Sequence, residues 1–287
     1  MTLSGIGAHL GRPARVALLP AGANDGIVFS VEGEDLPARW SSIDTAHLRM
    51  RLIGRRATLS TIEHLMAALA GVGVDNALVL VDGEEIPAMD GSARAFVEAI
   101  DEAGIIELAA PRRHFRVCAP VRVEEGAGWA ELVPLGQQAS GLDLDVEISF
   151  PQPVGGQRLA RRLSPVMFRR ELADARTFGF IRDAERLWSA GLALGASLEN
   201  TIVLDEKTVL NVHGLRYADE FVRHKMLDVI GDLALAGAPV IGAFRAYRSG
   251  HALNLKLLSA AFASSALRLE TEASPIANVS ASSRLSP

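Results

Sequence analysis

The 287-residue sequence predicts an α+β protein built in two halves. Short apolar or alternating runs open each half, and a pair of helical segments follows them. A His-bearing helix leading through glycines into a strand occurs twice, near Thr61 and near Ala218. The length suits about two domains at roughly 100–200 residues each.

Along the chain, Ala14–Leu19 and Gly26–Val31 read as strands on either side of the turn-rich Pro20-Ala21-Gly22-Ala23-Asn24-Asp25. A helix is expected from about Thr61 to Ala70, with Ser60 as N-cap and Gly71 as C′ residue. Asn76–Val81 reads as a buried strand, and Asp90-Gly91-Ser92 opens a second helix that stops at Gly104. Ala109-Ala110-Pro111-Arg112-Arg113 breaks periodicity and is the expected linker, dividing residues 1–110 from 111–270. Strands are expected at Phe115–Glu124, Trp129–Pro134 and Leu142–Phe150, the last alternating cleanly. Helices follow at Pro165–Asp174, Asp183–Ala190 and Ala218–Ala236, then a strand at Pro239–Tyr247 and a helix at Ala252–Ala263. Residues 271–287 form a tail, rich in Ser, Ala and Pro from Ala273 onward, that is expected to be disordered.

The composition, 49% hydrophobic and 22% charged, is ordinary for a globular chain. A net charge of -5 argues against nucleic-acid binding. With Cys118 alone, no intrachain disulfide can form and a thiolate-rich zinc site is excluded. No basic segment followed by an apolar core opens the chain, so no signal peptide is expected. The apolar stretch Met226–Tyr247 carries Asp228, Asp232 and Arg245 and is broken by Gly237 and Pro239, so it reads as helix, turn and strand. A cytoplasmic location is expected. There is no Walker loop, dinucleotide glycine fingerprint or Gly-X-Ser-X-Gly elbow. Arg161-Arg162 and Arg169-Arg170 read as solvated positions.

Three histidines have chemistry-bearing neighbours. His224 and Asp228 stand at i and i+4, on one helical face, and such a pair either closes on a metal or supports a surface helix. Glu63-His64 pairs a base with a ligand, yet Ser60-Thr61-Ile62-Glu63 also matches a capping box, the simpler reading of those residues alone. His251, in Ser249-Gly250-His251, is either an exposed loop residue or an acid that stabilises an oxyanion. Asp232 lies one turn beyond Asp228, as a solvated charge or as the carboxylate that orients His251. Gly5-Ile6-Gly7-Ala8-His9-Leu10-Gly11 is a weak phosphate-binding signal by itself.

Together these segments resemble the UDP-3-O-acyl-N-acetylglucosamine deacetylases. The matching stretches are Gly5–Gly11, Thr61–Leu69, Asp75-Asn76, Glu85–Ala93, Ala175–Phe180, Glu220–Asp228 and Arg248–Asn254. They follow one another in the family's order over nearly the whole chain. The resemblance implies two similar domains, each a mainly antiparallel sheet backing two helices, with the helices of both packed centrally around zinc. It implies His64, His224 and Asp228 as ligands of one Zn2+ per chain, a donor set that also accepts Fe2+. It further implies Glu63 as general base, His251 as acid, Asp232 as that acid's carboxylate and Thr177 as oxyanion donor. His9, Lys225, Asp183 and Phe178 match the surroundings of a nucleotide-sugar substrate. Residues 184–201, with Leu187, Trp188, Leu192, Ala193, Leu194 and Leu198, match an acyl-chain passage.

The activity implied is hydrolysis of the acetamide of UDP-3-O-acyl-N-acetylglucosamine in lipid A biosynthesis, by a monomer without transmembrane segment or nucleic-acid partner. The chain departs from the family at Ala8, Ala88 and Arg248, and it starts late, so the edge of the first sheet is expected to be weakened. Two rival readings keep part of the pattern. One is a zinc-dependent deacylase of another amide. The other is a catalytically inactive relative that binds nucleotide sugars or acyl chains.

Overall fold

The computed structural model describes residues 1–44, 50–272 and 277–281. The first part of the chain forms β1 (Thr2–Ile6), β2 (Pro13–Leu19), β3 (Ile27–Val31), β4 (Glu34–Pro37), β5 (Ile43–Asp44), β6 (Arg51–Ile53), β7 (Thr58–Ser60), α1 (Glu63–Val72), β8 (Ala77–Asp82) and α2 (Arg94–Ala103). Next come β9 (Ile105–Pro111), β10 (Arg113–Val117), β11 (Val121–Glu125), β12 (Gly128–Val133), β13 (Leu142–Ser149), β14 (Gly156–Arg162), α3 (Pro165–Met167), β15 (Phe178–Phe180), α4 (Ala184–Ser189) and β16 (Ile202–Leu204). The last elements are α5 (Glu220–Ala234), β17 (Val240–Tyr247), α6 (His251–Ala263), β18 (Leu267–Thr271) and β19 (Ala277–Ala281). The architecture is mixed α+β, with several sheets and six α-helices among the described residues.

One sheet has the order β1-β2-β8-β3-β4 and is antiparallel except for the β3–β8 pair. In β2, Ala14, Val16 and Leu18 are buried while their neighbours are more exposed, the period-2 signature of a sheet with one covered face. The edge expected to be weak pairs along five residues, from Thr2 with Ala17 to Ile6 with Pro13. A second sheet has the order β11-β12-β17-β10-β18 and adds β13 and β14 beside β17. Strand β17 is buried along most of its length, as expected of a strand flanked on both sides and covered by helices.

Several expectations need correction. The supposed linker at Ala109–Arg113 lies in strands: β9 runs to Pro111 and β10 begins at Arg113. The single strand expected at Phe115–Glu124 is two strands, interrupted at Cys118-Ala119-Pro120. The helix expected to begin at Thr61 begins at Glu63 and is closed by Gly73, with Gly71 buried inside it. The first helix after the second sheet is short, with α3 continuing as a π-type turn over Phe168–Leu172. Within the tail, Ala277–Ala281 pairs with β9 as a strand, and the tail residues 273–276 and 282–287 lie outside the described residues. Arg162 and Arg170 are exposed, as expected of solvated positions, and three of the four arginines also pair with carboxylates, at Arg161–Glu171, Arg162–Asp143 and Arg169–Asp101.

Helices α1 and α5 pack against each other. Their approach is close because α5 carries Gly231 at the crossing. A Cβ there would collide with the backbone carbonyl of Glu63. Ala67 and Ala68 of α1 are fully buried, so small side chains line the first helix as well. The outcome is that the first turn of α1 lies against the middle of α5. Replacing Gly231 with Ala is expected to lower the unfolding free energy by about 1–3 kcal/mol, as overpacking does. Urea denaturation measures that loss, and unchanged stability would show that the crossing is looser than described.

Candidate metal centre

Helix α5 places His224, Asp228 and Asp232 four residues apart, so successive turns bring all three to one face. All three are buried, at 2%, 4% and 0% exposure. Such a row of buried polar groups on a helix has to be satisfied from elsewhere in the fold. Helix α1 supplies the partner. His64, in its first turn, brings an imidazole whose ring centroid lies 4.9 Å from that of His224, nearly at right angles.

His64 Nε2 is 3.7 Å from Asp228 Oδ1, and His224 Nε2 is 3.4 Å from the same oxygen. Ligand atoms of the three residues all lie within 4.8 Å of one another. Two ligand atoms on a tetrahedral zinc with bonds of about 2.0–2.2 Å stand roughly 3.3–3.6 Å apart. The contacts to Asp228 are therefore close to the edge length of a zinc tetrahedron. Asp228 Oδ1 is buried and has no hydrogen-bond partner, an orphaned acceptor of the kind a cation satisfies. Two imidazoles and a carboxylate form a donor set suited to a catalytic zinc, which keeps a fourth position for water or substrate.

The electrostatics prepare the ligands. Burial, and then the neighbouring His224, push the His64 imidazole down to about 3, so it is neutral and free to coordinate. Burial also lowers His224, against the pull of Asp228. The Nδ1 of His224 lies 3.0 Å from the Ala175 carbonyl; donating its proton there leaves Nε2 free. Burial opposes ionisation of Asp228, but Lys225 Nζ at 2.7 Å and the surrounding imidazoles hold it well below the usual carboxylate range.

Beside this group, burial pushes the Glu63 carboxyl up to about 7, partly offset by His251. Glu63 Oε2 has no hydrogen-bond partner among the described residues. The Ser60–Glu63 capping box does not form: Ile62 is the N-cap, no side chain caps the helix, and Ser60 belongs to β7. His251 is not in a loop but is the first residue of α6. Its Nδ1 lies 2.9 Å from Asp232 Oδ1 and its Nε2 4.0 Å from Glu63 Oε1. Burial alone would lower His251, but the Asp232 charge and hydrogen bond outweigh it and raise the imidazole to about 10. Asn254 Nδ2 donates to Asp232 Oδ2 at 2.8 Å.

Thr177 and Phe178 follow Ala175 on one strap. Phe178 stands 6.4 Å from His224 by ring centroids, and the Thr177 amide donates to the Gly91 carbonyl at 2.8 Å. His9 lies on the Gly-rich stretch, where the insert meets it: the Leu194 amide donates to the His9 carbonyl at 2.9 Å. Asp183 precedes α4 and pairs with Arg186 at 3.4 Å. In the insert, Leu192 is buried while Trp188, Leu194 and Leu198 are about half exposed.

Three supports were not singled out from sequence: the Ala175 carbonyl, Asn254, and the buried Arg176–Glu220 pair at 2.9 Å. Asn254, three residues after His251 on a helix, had a spacing signal. A backbone carbonyl has none. The Gly-rich stretch is not a phosphate cradle at its centre, because the amides of His9 and Leu10 already donate to the Glu85 carboxylate, each at 2.9 Å.

A family profile described as "LpxC: UDP-3-O-acyl N-acetylglycosamine deacetylase" matches residues 1–263. The UDP-3-O-acyl-N-acetylglucosamine deacetylases of Brucella ovis, Brucella canis and Brucella melitensis biotype 2 are each 47% identical to this chain over 266 residues. The matched segment covers 91% of this chain and 92% of each relative.

Exchanging Asp228 for Ala removes the one oxygen that both imidazoles approach. Elemental analysis after dialysis is expected to find zinc in the wild type and almost none in the variant. Full zinc retention by Asp228→Ala would remove this carboxylate from the ligand set.

Proposed function

The chain belongs to the UDP-3-O-acyl N-acetylglycosamine deacetylase family, whose members are zinc enzymes, and on that premise we propose how its own residues share the reaction. It is a metal-dependent deacetylase of lipid A biosynthesis that hydrolyses the acetamide of UDP-3-O-acyl-N-acetylglucosamine. The products are acetate and the free sugar amine. The observation that carries the assignment of roles is the convergence of His64, His224 and Asp228, with Glu63 and His251 on the flank.

His64, His224 and Asp228 would hold the ion. Bound zinc supplies Lewis acidity, which acidifies water and polarises an acyl oxygen. Glu63 accepts the proton of the attacking water. Its buried Oε2, without a partner among the described residues, supports that role, as does a carboxyl pushed up toward neutrality. His251, kept protonated by Asp232, stabilises the negative charge that develops on the acyl oxygen. The Thr177 hydroxyl donates to the same charge. Departure of the amine needs a proton, and His251 and Glu63, 4.0 Å apart, form the reservoir that provides it.

Lys225, His9 and Asp183 contact the nucleotide-sugar portion, with Phe178 beside the reacting group. The half-exposed Trp188, Leu194 and Leu198 of the insert receive the acyl chain. The fold is read as two α+β domains meeting at the metal, with the boundary near 110. In support, one large sheet draws only on residues 2–82 and the other only on 113–271. The protein acts as a monomer in the cytoplasm. The single cysteine agrees with a reducing compartment, and no helix among the described residues is long and apolar enough to cross a membrane. Iron(II) can replace zinc in the same donor set.

Glu63→Gln is expected to lower kcat by about 10²–10⁴-fold, the usual contribution of a positioned base, with zinc content unchanged. The test is product release from UDP-3-O-acyl-N-acetylglucosamine alongside elemental analysis. Full activity at full zinc would reassign the base, and zinc binding without activity in the wild type would favour the rival readings.

His251 acts as a cation, so activity falls as pH rises through its raised value of about 10. Asp232→Asn removes the charge that raises it. The alkaline limb of the pH–rate profile should then move to lower pH. An unmoved limb would show that Asp232 does not control the acid.

A further inference from the structure

Glu85 is almost fully buried, at 2% exposure, and stands outside the group of residues just assigned to chemistry. One of its oxygens accepts the His9 amide at 2.9 Å and the Thr61 hydroxyl at 2.8 Å. The other accepts the Leu10 amide at 2.9 Å. A buried carboxylate is costly unless its lone pairs are met, and here three donors from two distant segments meet them. Gly7 is required by this packing, since a Cβ at that position would collide with the carboxylate.

The donors lead to two different parts of the active region. Thr61 has φ 59, a conformation that a β-branched residue rarely adopts. It lies two residues before Glu63, so the hydroxyl bond to Glu85 pins the unusual turn that launches α1. His9 and Leu10 lead the other way, to the insert. The Leu194 amide donates to the His9 carbonyl at 2.9 Å, and the Gly195 amide to the Ala8 carbonyl at 3.1 Å. The Ala193 amide reaches His9 Nδ1 at 3.4 Å. Gly195 also has to be a glycine, because a Cβ there would collide with the Gly7 carbonyl. Asn200 Nδ2 donates to the Gly195 carbonyl at 2.9 Å and ties this turn back into the insert. An unbroken path of hydrogen bonds thus runs from Thr61 through Glu85 and the Ala8–Leu10 backbone to residues 193–195.

We infer that Glu85 is a positioning residue for substrate recognition: it seats His9 and, through the Ala8–Leu10 backbone, the acyl-side insert against the turn that carries Glu63. This rests on the reading of His9 and residues 184–201 as substrate-contacting. The carboxylate is needed as such. A glutamine in its place offers one acceptor oxygen, and its NH₂ group would face a backbone N–H or hydroxyl donor. The change is nearly isosteric, so it removes acceptors while leaving the volume filled.

The test compares wild type, Glu85→Gln and Phe29→Leu. The last is a fully buried core variant in β3, where Phe29 stands opposite Leu36 and Val79 and not on this path, and it serves as a control for destabilisation alone. Glu85→Gln should raise KM for UDP-3-O-acyl-N-acetylglucosamine about tenfold, the effect of one charge-assisted hydrogen bond, with kcat within about threefold of wild type. Zinc content should not change. Hydrogen exchange should quicken at the amides of Leu194 and Gly195 as well as at His9 and Leu10, and Phe29→Leu should show neither effect.

The inference is overturned if Leu194 and Gly195 exchange as in wild type, or if Phe29→Leu raises KM equally. Should Glu85→Gln fail to fold, Gly195→Ala probes the link from the insert side, where the same rise in KM with kcat retained is expected and an unchanged KM counts against it. The exchange arm needs no substrate. A wild type inactive on UDP-3-O-acyl-N-acetylglucosamine would therefore sink the functional reading and still leave the role of Glu85 decided by the amides.

Discussion

The packing of α1 against α5 decides everything at the metal centre. Gly231 removes the side chain that would hold the helices apart, so the Glu63 backbone sits directly on α5. That contact brings His64 Nε2 to 3.7 Å from Asp228 Oδ1. An ångström of extra separation would exceed the span a zinc ion can bridge with bonds of about 2.0–2.2 Å. The surrounding alanines and the fully buried Leu65, Met66, Leu227 and Val229 make the crossing part of the close-packed hydrophobic core.

Burying so many ionisable groups in one place is unfavourable unless their charges are arranged in compensating pairs. Here Lys225 faces Asp228 at 2.7 Å and His251 faces Asp232 at 2.9 Å. The pairing divides the site into two electrostatic halves. On one side the imidazoles of His64 and His224 are neutral and stand as candidate ligands beside Asp228. On the other side His251 is cationic, held so by Asp232. The difference arises from environment alone: His251 has a carboxylate on its Nδ1, whereas His224 has a carbonyl. Glu63 lies between the two halves, desolvated and with its proton affinity raised.

Two buried carboxylates away from the chemistry hold the periphery in place. Glu220, at 0% exposure, takes the Arg176 guanidinium at 2.9 and 3.1 Å and the amides of Arg176 and Arg216. It thereby fixes the strap that presents the Ala175 carbonyl to His224 and carries Thr177 and Phe178. Glu85 does the same for the Gly-rich stretch and the turn before α1. In both cases one acidic side chain gathers backbone amides from segments that have no regular secondary structure to satisfy them.

What was legible in the sequence is what local backbone geometry dictates. The i, i+4 and i+8 spacing of His224, Asp228 and Asp232 put them on one helical face, and the alternation of Leu142 to Ile148 marked a half-buried strand, because helix and strand periods are properties of the backbone. Read alone, those residues left metal site and surface pair undivided, and it was the resemblance of several ordered segments that joined His64 to them. The rest depends on contacts between distant segments. Ser60 matches a capping signal, yet its amide donates to the Glu84 carbonyl and its carbonyl accepts from Ile86, so sheet pairing took the backbone that a cap needs. The Ala-Ala-Pro-Arg-Arg stretch looks like a linker, yet its edges join β19 and β18, partners from the far end of the chain. His251 is the first residue of a helix, and it is a cation because Asp232 reaches it from another element. Contacts between residues distant in sequence carry no local periodicity, and so only the folded chain fixes them.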